Sequence, residues 1–172
     1  MGQLGRVVEL GRVMELGDGD LPALQALFER CASYFQQVNG APPRRDEAER
    51  WLRELAPGKT AADRRVFGLR DDEERLIGAV DVVSDYPAAR EYWLGTMVIE
   101  PSIRGVGLGA WFHAQVLGWI RAQGAAGVQL CVPREAPGAL HFWIREGYQE
   151  TGLGCVLDGG REREVVKMRL GL

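Results

Sequence analysis

Met97, Val98, Ile99, Glu100, Pro101, Ser102, Ile103, Arg104, Gly105, Val106, Gly107, Leu108 and Gly109 form the most informative stretch of the chain. The order reads as a strand, a proline-containing turn, a glycine cluster and the opening of an amphipathic helix. Gly105, Gly107 and Gly109 let the backbone approach a ligand closely. The N–H groups of the opening helical turn, aided by the helix dipole, suit an anionic phosphate. The plain alternative is a glycine turn that only packs tightly. A P-loop is excluded, because Gly109 is followed by Ala110 and Trp111 instead of Lys and Ser or Thr. Gly105, Gly107 and Ala110, with Glu135 further on, fit the looser dinucleotide pattern. That fit is superficial: a Rossmann fingerprint starts directly off the first strand of a repeated βαβ unit, whereas Pro101 to Ile103 intervene here and helices precede the strands.

Outward from this stretch the periodicity predicts a mixed sheet flanked by helices. Residues 4–9 and 10–15 are a tandem duplication of period six, and an even period keeps alternate side chains on one strand face. The second copy leads directly into the next element and is the expected first strand, which leaves residues 1–11 as an N-terminal extension. Asp18 and Asp20 are N-cap candidates for one helix running to about Val38, with Leu24, Leu27, Phe28, Cys31 and Phe35 at helical spacing. A second helical pattern carries Ala48, Trp51, Leu52 and Leu55 and stops at Pro57 and Gly58.

Strands are then predicted at residues 66–69, 76–83 and 92–99, a helix at 107–123, a strand at 128–132, and a short helix at 137–146. Two closing strands at 148–157 and 164–170 join through Gly159 and Gly160. The expected class is α/β (α+β) in the order βααβββαβαββ, a mostly antiparallel sheet with helices on both faces, making a single domain over residues 1–172. Around Gly95 the apolar positions Leu94, Met97 and Ile99 break strict alternation, which predicts a bulge; relief of crowding beside Trp93 is the plainer explanation of the glycine.

Composition bounds the partners. The chain has 172 residues, 21 basic and 24 acidic, for a formal net charge of -3. That balance gives no electrostatic footprint for nucleic acid or an anionic membrane. Cys31, Cys131 and Cys155 are widely spaced, and His113 and His141 are the only histidines, so neither a disulfide scaffold nor a metal site is expected. With no signal-like or membrane-length apolar run, the expected setting is the cytoplasm.

Arg104, Gly107 and Gly109, with Met97, Ile99 and Pro101 ahead of them, resemble the acyl-CoA signature of the Gcn5-related N-acetyltransferase (GNAT) family. A second match lies at Ala139, Phe142, Arg145, Gly147 and Tyr148, and by motif the resemblance covers about residues 64–157. It implies acetyl-CoA with its pyrophosphate on Arg104, Gly105, Val106, Gly107, Leu108 and Gly109, and its pantetheine paired like a strand edge with Met97, Val98 and Ile99. The acceptor it implies is an amine on a small molecule or peptide. Amides near Val98 and Ile99 would meet the oxyanion. The family's frequent acid, a tyrosine four residues before the motif glycine, is replaced by Trp143, whose indole N–H only donates hydrogen bonds. The frequent CoA-contacting Asn is replaced by Ala136.

Candidates for the missing chemistry are few. Asp81 and Asp85 alternate onto one strand face about 13 Å apart, and Glu91 could approach from the next strand, each a carboxylate able to bind or deprotonate an amine. Strand-end acids facing solvent are the ordinary alternative. Tyr92 borders the expected slot. His141 should be solvated, His113 partly buried and structural, and Tyr148 packed in the core. Cys131 as a covalent carrier lacks an activating neighbour in sequence. An acyl-CoA sensor without catalysis and a nucleotide-binding fold are the rival readings. Trp51 and other aromatics leave room for a homodimer surface.

Overall fold

The computed structural model describes residues 11–158 and 161–172. The first copy of the duplication and the Gly159–Gly160 turn lie outside the described residues. The second copy forms β1 (Arg12–Glu15), followed by α1 (Leu21–Arg30), α2 (Ala32–Asn39) and α3 (Glu47–Arg53). Next come β2 (Arg64–Arg70), β3 (Leu76–Val83), β4 (Glu91–Ile99), α4 (Leu108–Ala122), β5 (Gly127–Pro133), α5 (Pro137–Arg145), β6 (Gln149–Asp158) and β7 (Arg161–Gly171).

The observed order is therefore βαααβββαβαββ, with one helix more than the sequence predicts. The expected helix to Val38 breaks at Cys31, whose φ of -93° and ψ of 22° leave the helical region. Leu24, Leu27, Phe28, Cys31 and Phe35 are all buried on both sides of the break. The apolar spacing thus continues through a break that no glycine or proline marks. The next helix is shorter than its pattern, since α3 stops at Arg53 and leaves Leu55 exposed.

The sheet runs β1-β2-β3-β4-β5-β7-β6 and is antiparallel except for the pair β4–β5. A doubly wound nucleotide-binding sheet is excluded by that pattern. The parallel pair is joined through α4, the crossover such a pair requires. One apolar layer packs between the sheet and α4 and α5, around Phe112, Ile120 and Leu130; the other lies against α1 to α3, around Leu24, Phe28 and Trp51. β3 is buried along its whole length because both layers cover it.

Two irregularities in β4 position the site. Opposite β3, Val80 pairs Met97 and Val82 pairs Leu94, so Gly95 and Thr96 share the single partner Asp81 in a bulge. On the other side β4 bridges β5 only at Glu91, Tyr92 and Trp93, opposite Gly127, Val128 and Gln129. Beyond Trp93 the two parallel strands part, and the second half of β4 presents an open edge.

Candidate active site

The bulge follows from one buried carboxylate. Asp81 Oδ1 accepts the Thr96 N–H at 2.7 Å, and Oδ2 accepts Arg64 Nε at 3.2 Å. Gly95 has an ordinary backbone angle, but a Cβ there would lie 2.5 Å from Asp81 Oδ1 and 2.6 Å from Oδ2. The three nearest atoms all belong to Asp81, so the carboxylate is sufficient reason for the glycine. Arg64 also donates to the Leu52 carbonyl at 3.0 Å, and its guanidinium sits 5.0 Å from the centre of the Trp51 ring. Burial pushes the Asp81 carboxyl above its usual range, against the pull of Arg64 and the Thr96 amide.

The open edge of β4 has a definite polarity. The Glu100 N–H donates to the Ile77 carbonyl at 2.9 Å, and Ala79 faces Val98 in the same register. Antiparallel alternation then directs the Val98 amide into the ladder with β3, and the Met97 and Ile99 amides toward the parted β5 side. Val98, expected to serve an oxyanion, has its N–H committed elsewhere. Ile99 keeps that geometry, and Met97 joins it.

After β4 the turn is pinned by a buried acid the sequence did not single out. Glu100 pairs with Arg30 Nε at 3.1 Å and Arg75 Nη1 at 3.2 Å and accepts the Ser102 hydroxyl at 3.0 Å. Arg104 donates Nε to the Ile99 carbonyl at 2.8 Å, tying the glycine loop back to the strand end. Gly105 and Gly107 take left-handed backbone angles, φ 85° and 82°, and a Cβ on either would meet no protein atom within 4 Å. Gly107 caps α4, whose first-turn amides have no intrahelical acceptor. Val106 and Gly107 are exposed, while Leu108 roots the helix in the core. Gly109 sits where a Cβ would be 3.5 Å from the Phe142 ring, an ordinary contact.

The four candidate acid–base residues are not brought together. Asp85 lies beyond the end of β3 in the turn, exposed, with Oδ1 accepting the Arg90 N–H at 2.7 Å. The expected shared strand face with Asp81 does not exist, because the strand has already ended. Glu91 sits at the β4–β5 junction, bound by Arg169 Nη2 at 2.7 Å and Nε at 3.1 Å and by Gln129 at 2.9 Å. Those hydrogen bonds hold its carboxyl below the usual range. Tyr92 faces the opposite side of the sheet, packed on Trp119 in a hollow of about 120 Å³, and burial raises its phenol pKa.

Trp143 is buried against Phe142, His113 and Tyr148. His113 is more buried than expected, and it joins Glu146 at 3.2 Å through Nδ1 and the Tyr148 hydroxyl at 3.1 Å through Nε2. An ionised Glu146 only accepts, so Nδ1 carries the proton and Nε2 accepts from Tyr148. Burial lowers the His113 pKa and pushes the Tyr148 phenol well above its usual range. His141 is exposed, as anticipated. Cys131 has its thiol pKa raised by burial, only partly countered by Lys167, so it is no activated nucleophile. Trp51, offered as a dimer surface, is buried within the chain.

On the face of α1 to α3 lies a cleft of about 310 Å³ whose floor is the bulge at Gly95 and Thr96. Trp51, Glu54, Tyr86 and Trp93 wall it, with Arg64 and Asp81 beneath. Trp93 is both the last β4 residue bridged to β5 and a wall of this cleft, so cleft and open edge meet there. Among the described residues no cluster of three metal-ligating side chains forms, and no helix is long and apolar enough to cross a membrane.

The sheet is split between its fourth and fifth strands, and a glycine-capped helix opens beside the split. Residues 22–148 match the model of the acetyltransferase (GNAT) family, and the chain belongs to that family. The fold is shared with solved N-acetyltransferases. A putative phosphinothricin N-acetyltransferase aligns with TM-score 0.70 at 14% identity, over 94% of this chain and 98% of that one. The spermidine N-acetyltransferase of Vibrio cholerae in complex with CoA and spermine aligns with TM-score 0.69 at 22% identity, over 93% and 94%. A search of curated proteins finds no match.

Proposed function

We propose that the chain is a cytoplasmic N-acetyltransferase that passes the acetyl group of acetyl-CoA directly to a primary amine. The observation that carries this reading is the parting of β4 from β5 beside the Gly105–Gly107 turn. Exposed backbone N–H groups on one side and an unpaired strand edge on the other suit a pyrophosphate followed by an extended amide chain. The unpaired thiols of Cys31, Cys131 and Cys155 accord with a reducing compartment.

In this reading Gly105, Val106, Gly107, Leu108 and Gly109 hold the pyrophosphate by their backbone, and Arg104 keeps the loop in register through the Ile99 carbonyl. Met97 and Ile99 pair with the pantetheine arm and orient the thioester at the bulge. The ammonium first loses a proton to solvent; the neutral amine nitrogen then attacks the thioester carbonyl carbon, the C–N bond forms as the C–S bond breaks, and the nitrogen gives up a second proton as the thiolate takes one up. Asp81 acts by holding the bulge open through the Thr96 amide; its oxygens are engaged by Arg64 and Thr96, so it does not serve as the base.

Burial of Trp143 at the position of the usual acid also favours a second reading, an acyl-CoA sensor without turnover. Thiol release from acetyl-CoA across amino acids, polyamines, aminoglycosides, arylalkylamines and peptide N-termini separates the two. Turnover with any amine supports the transferase; tight acetyl-CoA binding with no release across the panel supports the sensor.

A further inference from the structure

The cleft over the bulge has a charge and shape of its own. Its aromatic walls are Trp51, Tyr86 and Trp93, the last two packed edge to face at 5.8 Å between ring centres. Its ionisable groups do not contribute equally. Arg64 and Asp81 neutralise each other at 3.2 Å, and the Arg64 side chain is only 6% exposed, with the Leu52 carbonyl and the Trp51 ring as further partners. Arg64 therefore spends its charge on Asp81, and only a small part of its side chain is open to a ligand carboxylate. Glu54 is exposed at the rim and, among the described residues, pairs with no cation. The cleft thus presents one uncompensated negative charge and three aromatic rings.

That inventory separates classes of amine. A polyamine carries several ammonium groups along an extended chain and needs a carboxylate for each, whereas one is available. A zwitterionic amino acid needs an uncompensated cation for its carboxylate, and the charge of the one cation lining the cleft is already balanced by Asp81. A compact amine with one ammonium and a flat apolar body matches both the single carboxylate and the rings, by cation–π and edge-to-face contact. A volume of about 310 Å³ equals roughly ten water volumes, at the lower end of small-molecule sites.

We propose that this cleft is the acceptor site and takes monocationic arylalkylamines, the ring held between Trp93, Tyr86 and Trp51 and the charge steered by Glu54. The proposal rests on the acetyltransferase reading, since the cleft reaches the edge of β4 where the thioester would lie. Its amine-binding half is testable without acetyl-CoA.

The experiment pairs titration calorimetry of 2-phenylethylamine, spermidine and phenylalanine on the full chain with thiol release from acetyl-CoA using the same three amines. The expected result is saturable binding and turnover of 2-phenylethylamine, at least about tenfold better in kcat/KM than either other amine. Trp93→Ala should raise its KM about tenfold and Glu54→Gln about three- to tenfold, with the KM for acetyl-CoA unchanged. Exposed Glu54 makes no contact the fold needs, so that variant tests the site even where Trp93→Ala folds poorly. Turnover preferring spermidine or phenylalanine would overturn the acceptor assignment while leaving the transferase reading intact. Binding of 2-phenylethylamine without turnover of any amine would sink the transferase reading and the acceptor role with it; absence of amine binding beside normal acetyl-CoA binding overturns the cleft alone.

Discussion

Replacing Gly95 by alanine tests the physical origin of the bulge on which the site depends. Alanine in a strand should gain about 0.5–1 kcal/mol over glycine from backbone entropy, and Gly95 has no left-handed angle to resist it. Against that gain stands the Asp81 carboxylate, 2.5–2.8 Å from the new Cβ. The carboxylate is clamped by Arg64 and the Thr96 amide, so yielding means breaking a buried ion pair, a cost of about 3–5 kcal/mol. The net expectation is a loss of about 2–4 kcal/mol, or roughly 5–15 °C in Tm for a chain of this size.

The decisive measurement is a double-mutant cycle by guanidinium unfolding followed by circular dichroism. In an Arg64→Met, Asp81→Ala background, with both charges removed, the same Gly95→Ala change should cost under about 0.5 kcal/mol or stabilise. Equal costs in the two backgrounds would refute the reasoning and show that the glycine answers to something other than the carboxylate.

Gly107→Val should lower acetyl-CoA affinity by tenfold or more, because its Cβ would occupy the open space above the loop, at a stability cost of about 1–2 kcal/mol for the left-handed angle; calorimetry showing unchanged affinity would remove the loop from the site. Arg169→Ala should let the Glu91 carboxyl rise toward its ordinary 4.5, readable by carboxyl-carbon NMR titration. Because the folded Glu91 pKa is lowered, its contribution to stability is present above that ordinary value and is lost as pH falls through the folded one, so the variant should lose part of the acid-side slope of Tm. His113 is held neutral below its ordinary 6.5, so the unfolded chain binds the extra proton first and stability should fall as pH drops from 6.5 toward the folded value. His113→Gln should flatten that slope, and a Tm profile identical to the parent's would disprove the burial argument.

Much of the fold was legible because local pattern governs it: α4 carries helical apolar spacing that matches the face it buries, and β2 and β3 are short apolar runs of strand length bounded by turn residues. The glycine loop was legible for a related reason: left-handed angles at Gly105 and Gly107 are a local demand that only certain residues meet cheaply. The break at Cys31 was not legible, because the same residues stay buried on both sides of it and nothing in the local sequence disfavours helix.

The partners of the acid–base candidates were illegible for a different reason, which bears on how such sites are read. Asp81, Glu91 and Asp85 stood out because a carboxylate interrupts or ends an apolar strand, yet each is already engaged, by Arg64 and Thr96, by Arg169 and Gln129, and by the Arg90 amide. Their partners lie 17 and 15, 78 and 38, and 5 positions away, and only the sheet brings the distant ones close. An acid on an apolar strand must find a partner if it is to be buried as a charge, so its conspicuousness in sequence argues as strongly for a structural ion pair as for catalysis. The informative acid is the reverse case. Glu54 interrupts nothing, is exposed at the rim of an aromatic cleft and among the described residues pairs with no cation, which is what suits it to the proposed acceptor role.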